Sequence, residues 1–352
     1  MQTRSPHPST PGARSGPSRR ALGRRGLGLA ALAAAPLGLL AVPTAAGAQT
    51  GGSVNLVAYS TPKPAYTTLG ADFAKTNSGA GVTVSGSFGP SGTQATSVVD
   101  GLPADVVNFS LEPDMAKLVK AGLVSSSWDK NATKGIVTDS IVSFIVRPGN
   151  PKHITSWADL VKPGVGVITP NVFSSGSAKW NIMAAYGAEL ALGKTSAQAQ
   201  TYLSQLLHNA VAQPSSASAA LQTFLSGQGD VLLDYEDDAL YAKSKGEALD
   251  IVTPPQTILI ENPIAVTKTA SPSAKAFVSY LLSDAGQKVW GQQGYRPVLP
   301  SVAKQFHFPQ PKTLFTIDHL GGWTAVNTKF FDPQTGIVAH VEQSLGVSTA
   351  SG

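Results

Sequence analysis

From Val54 onward, short apolar or β-branched runs alternate with segments of helical spacing, and this alternation constrains the fold more than any other feature of the chain. Val54–Tyr59 is continuous enough for a buried strand, and Ala65–Thr76 then places Tyr66, Leu69 and Phe73 on one side of a helix. Val82–Ser85, Gln94–Leu102, Ala104–Phe109 and Glu112–Ala121 repeat the order strand, helix, strand, helix, with Gly122 closing the last. Such chains fold as α/β structures with mainly parallel sheets covered by helices.

Two β-rich stretches can carry the chain between lobes. Ser140–Val146 ends at Arg147-Pro148-Gly149, and Ile251–Ile260 holds a stiff Pro254-Pro255 pair in its middle. The block between them has its own alternation, so one lobe is inserted into the other. We expect lobe 1 over 49–140 and 256–299, the inserted lobe over 141–255, and a C-terminal segment over 300–352 that the sequence assigns to neither.

Three strand-to-helix junctions share a composition. Phe88-Gly89-Pro90-Ser91-Gly92-Thr93-Gln94, Phe173 to Lys179, and Pro214 to Ser218 each present small residues where a helix begins. A helix start has four backbone N–H groups without intrahelical partners and a partial positive charge, so it can hold an anion without a charged side chain. The competing reading is ordinary N-capping by serine. Three such loops, one in the first lobe and two in the inserted one, favour a shared cleft.

The net charge of +5 suggests a nucleic-acid partner until its position is noted. Six of the 26 basic residues are arginines within 1–48, which holds no acid, and the remaining 20 face 21 acidic residues, a net of −1. Nucleic acid is therefore not expected as a partner. The same segment reads as an export signal: arginines, the apolar run Gly26 to Val42, then Ala46-Gly47-Ala48, with cleavage expected after Ala48. Pro36 interrupts the apolar run, which is shorter than the roughly 20 residues a membrane span needs. Ser18-Arg19-Arg20-Ala21-Leu22 resembles a twin-arginine signal, although Gly23 and Arg24 depart from it, so the route of export stays open. The chain has no cysteine, which removes disulfides, thiolate chemistry and lipid attachment through cysteine. A soluble periplasmic or extracellular protein is expected.

Catalytic and metal chemistries find little support. The five histidines after residue 48 are scattered, without HExxH or paired spacing. Ser175 and Lys179 are four apart rather than the three of an S-x-x-K nucleophile, and no G-x-x-x-x-G-K-[ST] loop occurs. Asp234, Glu236, Asp237 and Asp238 could suggest a cation, but acids in a first helical turn are expected for dipole reasons. No enzyme activity, cofactor or metal is expected.

SGTQATSVVDGLPADVV (91–107), VRPGNPKHITSWADLVKPGVGVITPNVFSSGSAKWN (146–181), GQGDVLLDYEDDAL (227–240) and LFTIDHLGGW (314–323) together resemble the sulfate-binding proteins of bacterial ABC importers. The resemblance runs from Asn55 to about Phe331. It implies a two-lobe periplasmic-binding-protein fold of type II, hinged and closing over an anion held by uncharged donors. It further implies delivery of sulfate or thiosulfate to a membrane permease by a monomeric receptor. Carried over position by position, it assigns anion contacts to Ser91, to Ser175, Gly176 and Ser177, to Ala217, and to Tyr235. Ser175 would give both its hydroxyl and its N–H, and Lys179 would point to solvent.

Three departures bear on selectivity. Ser177 stands where the family has glycine, placing a side chain at the mouth of the site. Tyr235 stands where the family uses a tryptophan indole N–H. Ser60-Thr61-Pro62-Lys63-Pro64 replaces a D-P-T-R-E-type loop and loses an acid. Molybdate or tungstate, and an exported serine hydrolase built on Ser175, remain the alternatives.

Overall fold

A computed structural model describes residues 52–350, so the expected signal segment lies outside the described residues. The first half-sheet is built from β1 (Ser53–Tyr59), β2 (Thr83–Gly89) and β3 (Val106–Asn108), with β1 parallel to both neighbours. Between these strands run α1 (Lys63–Phe73) and α2 (Ser91–Val99), and α3 (Glu112–Lys120) follows β3. Val54, Leu56, Val57 and Ala58 are all buried because helices cover both faces of β1. Gly122, at φ 77°, ends the segment after α3 in a conformation that favours glycine.

β4 (Ile136–Val146) then crosses to the second half. This half is built on β5 (Val167–Ile168), α4 (Gly176–Ala191), α5 (Ser196–His208) and β6 (Ala210–Ala212). It continues through α6 (Ala217–Leu225), β7 (Val231–Tyr235), α7 (Glu236–Ser244) and β8 (Asp250–Val252). β9 (Gln256–Val266) carries the chain back; Pro254 and Pro255, which lack N–H groups, fall between β8 and β9 and interrupt the ladder.

β4 and β9, 11 residues each, are the two crossing strands. The first half of β4 pairs antiparallel with the middle of β9, Ile136–Ile141 against Leu259–Pro263. The end of β4 then joins β7 and β8, while the end of β9 joins β3. The resulting order is β2-β1-β3-β9-β4-β7-β5-β6. Parallel pairs within each half flank antiparallel crossing strands, so the sheet is mixed, in the two-lobe arrangement that the alternation and the resemblance led us to expect.

α8 (Pro272–Leu281), α9 (Asp284–Gln292) and β10 (Arg296–Pro297) return to the first half, where Phe277 and Trp290 pack with Tyr66 and Phe73. The segment left unassigned above comprises α10 (Pro300–Ala303), β11 (Thr313–Phe315), α11 (Gly322–Val326) and α12 (Ile337–Ser344). Its Phe315, Trp323, Phe330 and Val338 share a buried cluster with Trp157, Trp180 and Met183 of the second half. Among the described residues no helix is long and apolar enough to cross a membrane.

Candidate functional site

The three Ser and Gly junctions all lie where strands end and helices begin, the usual position of ligands in open α/β sheets. α2 begins at Ser91, one residue after Pro90, and has no side-chain cap. α4 begins at Gly176; Ser175 holds the N-cap position, yet its side chain makes no cap hydrogen bond. At α6 the ordinary role of a cap serine is filled, because Ser216 Oγ accepts Ala219 N–H at 3.2 Å. Capping therefore accounts for the serine before α6 and leaves those at α2 and α4 without that explanation.

The structure brings these junctions together. A β-carbon on Gly92 would lie 3.3 Å from the Ser174 carbonyl oxygen, and one on Gly176 would lie 2.6 Å from Ser110 Cβ and 2.7 Å from Leu111 Cδ2. Gly176 is thus required by close approach of the two halves, since a side chain there would hold them apart. Ser174 Oγ donates to the Ser215 carbonyl at 2.9 Å, joining the loops before α4 and α6. Ser218 N–H reaches Ser60 Oγ at 3.5 Å, placing the loop after β1 beside Ala217.

Ser110, just past β3 and 1% exposed, ties the halves together and was not singled out from the sequence. Its N–H donates to Ser91 Oγ at 3.0 Å, and its carbonyl accepts Trp180 Nε1–H at 2.9 Å and Asn262 Nδ2–H at 3.1 Å. Its hydroxyl pairs closely with the Tyr235 phenol. Tyr235 ends β7, and its ring lies tilted against Tyr59 of the opposite half, with centres 5.9 Å apart. The only sequence signal for Ser110 was its place at the carboxyl end of a strand.

Several expectations about individual groups change. Ser175 was expected to give hydroxyl and N–H together; its N–H instead donates to the Asn171 carbonyl at 2.9 Å, leaving the hydroxyl. Ser177 was expected at the mouth of the site. It is buried, with Oγ directed to Asp234 Oδ1 at 3.3 Å, because the carboxylate beneath α4 offers an acceptor that the cleft does not. Lys179 was expected to point to solvent, but the second half folds its C-terminal segment over α4. The ammonium donates to Asn327 Oδ1 at 3.2 Å and lies 5.2 Å from the Phe331 ring centre, and burial lowers its pKa. Ser91 supplies no free hydroxyl either, for it donates to Asp114 Oδ2 at 2.7 Å. Asp114 is held in turn by Lys117 at 3.1 Å.

The uncharged groups at the junctions are the first N–H groups of α2, α4 and α6, the Ser175 hydroxyl and the Tyr235–Ser110 pair, and the Lys117 ammonium, held by Asp114, would lie 3.8 Å from a β-carbon on Gly92. The acids at the end of β7 and the start of α7 lie behind them. Glu236 is clamped by Arg296 at 2.7 and 3.1 Å. Burial pushes Asp234 up to about 7 and Asp237 up to about 8. Among the described residues no grouping of three or more His, Cys, Asp or Glu is arranged to hold a metal ion.

Comparison with known proteins fits this geometry. Residues 54–296 match the family described as bacterial extracellular solute-binding protein. A sulfate-binding protein of Synechococcus elongatus is 38% identical over 291 residues, 79% of this chain and 83% of the relative. A thiosulfate-binding protein of Pseudomonas aeruginosa is 33% identical over 73% of this chain and 82% of its own. Among solved structures, the sulfate-binding protein SubI from Mycobacterium tuberculosis superposes with a TM-score of 0.78 at 45% identity, covering 80% of this chain and all of that one. The chain belongs to the sulfate-binding-protein family of bacterial extracellular solute-binding proteins.

Proposed function

We propose that this protein is an extracytoplasmic receptor that captures sulfate and delivers it to the permease of an ABC importer. The observation that carries the reading is the meeting of two uncapped helix starts, α2 and α4, across a cleft that offers an anion hydrogen-bond donors. Ser91, Gly176, Ser177 and Ala217 contribute backbone N–H groups, Ser175 its hydroxyl and Tyr235 its phenol. After cleavage of residues 1–48 the receptor acts as a soluble monomer outside the cytoplasmic membrane, with no nucleic-acid partner.

Donor chemistry sets the selectivity. Sulfate carries no proton at neutral pH, so a shell of donors satisfies every oxygen, whereas phosphate keeps a proton that needs an acceptor. An unpaired O–H costs about 1–3 kcal/mol, roughly ten- to a hundredfold in affinity. Six or seven donors at ~1.5–3 kcal/mol each, set against association costs of ~4–15 kcal/mol, lead us to expect micromolar binding. Ser177 leaves its N–H to the ligand while its hydroxyl is engaged with Asp234, so the extra side chain need not enlarge the site. Thiosulfate is the nearest competing ligand, since relatives named for it share the family.

A hydrolase built on Ser175 would need a base within hydrogen-bond reach of its oxygen. The Ser175 hydroxyl has no such partner among the described residues. Titration with sulfate, thiosulfate, molybdate and phosphate, followed by tryptophan fluorescence, tests the reading. Sulfate and thiosulfate should give saturable micromolar responses and phosphate a far weaker one. Tight phosphate binding without a sulfate response would overturn it.

A further inference from the structure

Behind Ser177 and Tyr235 the protein carries negative charge that capture of a dianion has to accommodate. Asp234, Asp237 and Asp238 are 0%, 1% and 8% exposed. Glu236, between them in sequence, has Arg296, but among the described residues no basic side chain forms an ion pair with the other three. Asp234 Oδ1 accepts Tyr235 N–H at 2.8 Å and the Ser177 hydroxyl at 3.3 Å, so this carboxylate touches the backing of the anion site directly. Its Oδ2, and Asp238 Oδ2, are buried with no donor from any neighbouring side chain or backbone group. Asp238 follows Asp234 by four residues, across the step from β7 into the first turn of α7, and the Asp234 charge helps to hold the Asp238 carboxyl above its usual pKa.

Two ionised carboxylates cannot stay in contact in a dry interior, because like charges repel strongly there and neither is solvated. A metal ion would relieve them, but the described residues provide no grouping with a metal site's arrangement. A proton does so with the atoms present: one carboxyl donates an O–H to the other, and both orphaned oxygens gain a partner.

We propose that Asp234 and Asp238 share a proton, and that the receptor takes up a proton as it binds its anion. A dianion in front of Ser177 and Tyr235 raises the cost of any negative charge behind them, so the occupied site favours the protonated pair. The groups packed around the pair support this. Tyr59 from β1, Tyr235 from β7 and Tyr295 before β10 are phenols held above their usual pKa, hence neutral, and Ser140 from β4 is uncharged. Asp237, the remaining acid, is itself pushed up to about 8 by burial, and Asp234 to about 7, which puts the exchange near neutrality. Asp238 lines a solvent-open groove of 260 Å³ with Ser60, Lys63, Tyr241 and Lys245, and that groove gives the proton its route.

This inference rests on the receptor reading and is tested with the chain from Gln49 onward and sulfate, which does not titrate near neutral pH. Calorimetry at neutral pH in HEPES and in Tris, whose ionisation enthalpies differ, should report uptake of up to one proton per sulfate. The dissociation constant should rise as pH rises through the window from about 7 to about 9, by at most about tenfold per unit, the limit for one linked proton. Asp238→Asn should weaken both effects; should that variant not fold, the wild-type buffer comparison decides alone. Equal heats in both buffers with a pH-independent constant would overturn the inference and leave the receptor reading standing. An affinity that follows the identity of an added metal cation at fixed ionic strength would overturn it too. No sulfate binding at any pH would refute the receptor reading and this inference with it.

Discussion

At the start of α2 the Ser91 hydroxyl is occupied on both sides, donating to Asp114 at 2.7 Å and accepting Ser110 N–H at 3.0 Å. At the start of α4 the commitments are exchanged. Ser175 gives its N–H to the Asn171 carbonyl at 2.9 Å and keeps its hydroxyl uncommitted. Both junctions read Ser-Gly after a strand, yet one serine is a brace whose backbone faces the cleft and the other offers its side chain. The difference follows from what lies underneath. α3 places an acid, Asp114, below Ser91, whereas the loop before α4 turns back on Asn171 and satisfies the backbone first.

The strongest way to break this comparison is to stop the two junctions from meeting. Gly176→Val would drive a side chain into Ser110 and Leu111, and overpacking of that kind costs about 1–3 kcal/mol or more. Sulfate affinity should fall by at least ten- to a hundredfold while the separate halves keep their far-ultraviolet dichroism. An unchanged affinity would mean that the halves do not close on Gly176.

Ser91→Ala probes the brace. It leaves Ser110 N–H and Asp114 Oδ2 without their buried partner, at about 1–3 kcal/mol, so denaturant unfolding of the anion-free protein should show the loss. Wild-type stability in this variant would remove the bracing role.

The acids behind the second junction give the stability a pH dependence. Asp234 and Asp237, raised to about 7 and about 8 in the folded chain, sit near 3.9 when unfolded. The folded state therefore binds more protons between about pH 4 and about pH 8, and stability falls as pH rises through that window. Melting of the anion-free protein should occur several degrees lower at about pH 8.5 than at about pH 6, and Asp237→Asn should flatten the trend. A melting temperature that rises over this range contradicts the account.

The smallest effect belongs to Lys179. Its bond to Asn327 is worth about 0.5–1.5 kcal/mol of stability, and Lys179→Met should leave the sulfate constant nearly unchanged in calorimetry. A large loss of affinity would place the ammonium in the site.

Much of this was legible in the sequence, for reasons specific to each element. The strands around Val54 and Val106 announce themselves because they are buried on both faces, and the helix starts because glycine and serine mark them. The three loops could be matched to one another, and the resemblance ordered them. Pairing across the two halves could not be read. Ser110 is an unremarkable serine between Phe109 and Leu111 until Trp180, Tyr235 and Asn262 arrive from distant parts of the chain. Hydroxyl direction was equally hidden. Ser177 turns to Asp234, and Ser91 to Asp114, because of carboxylates 57 and 23 residues away. A local motif fixes where a serine lies and not which of its groups remains free.

The sulfate dissociation constant of Ser175→Ala, measured by calorimetry beside that of Ser91→Ala, tests the division of labour most directly. The account predicts that Ser175→Ala weakens binding by about 1–3 kcal/mol with little change in anion-free stability, while Ser91→Ala keeps near-wild-type affinity through its backbone N–H. Wild-type affinity in Ser175→Ala together with a large loss in Ser91→Ala would contradict it.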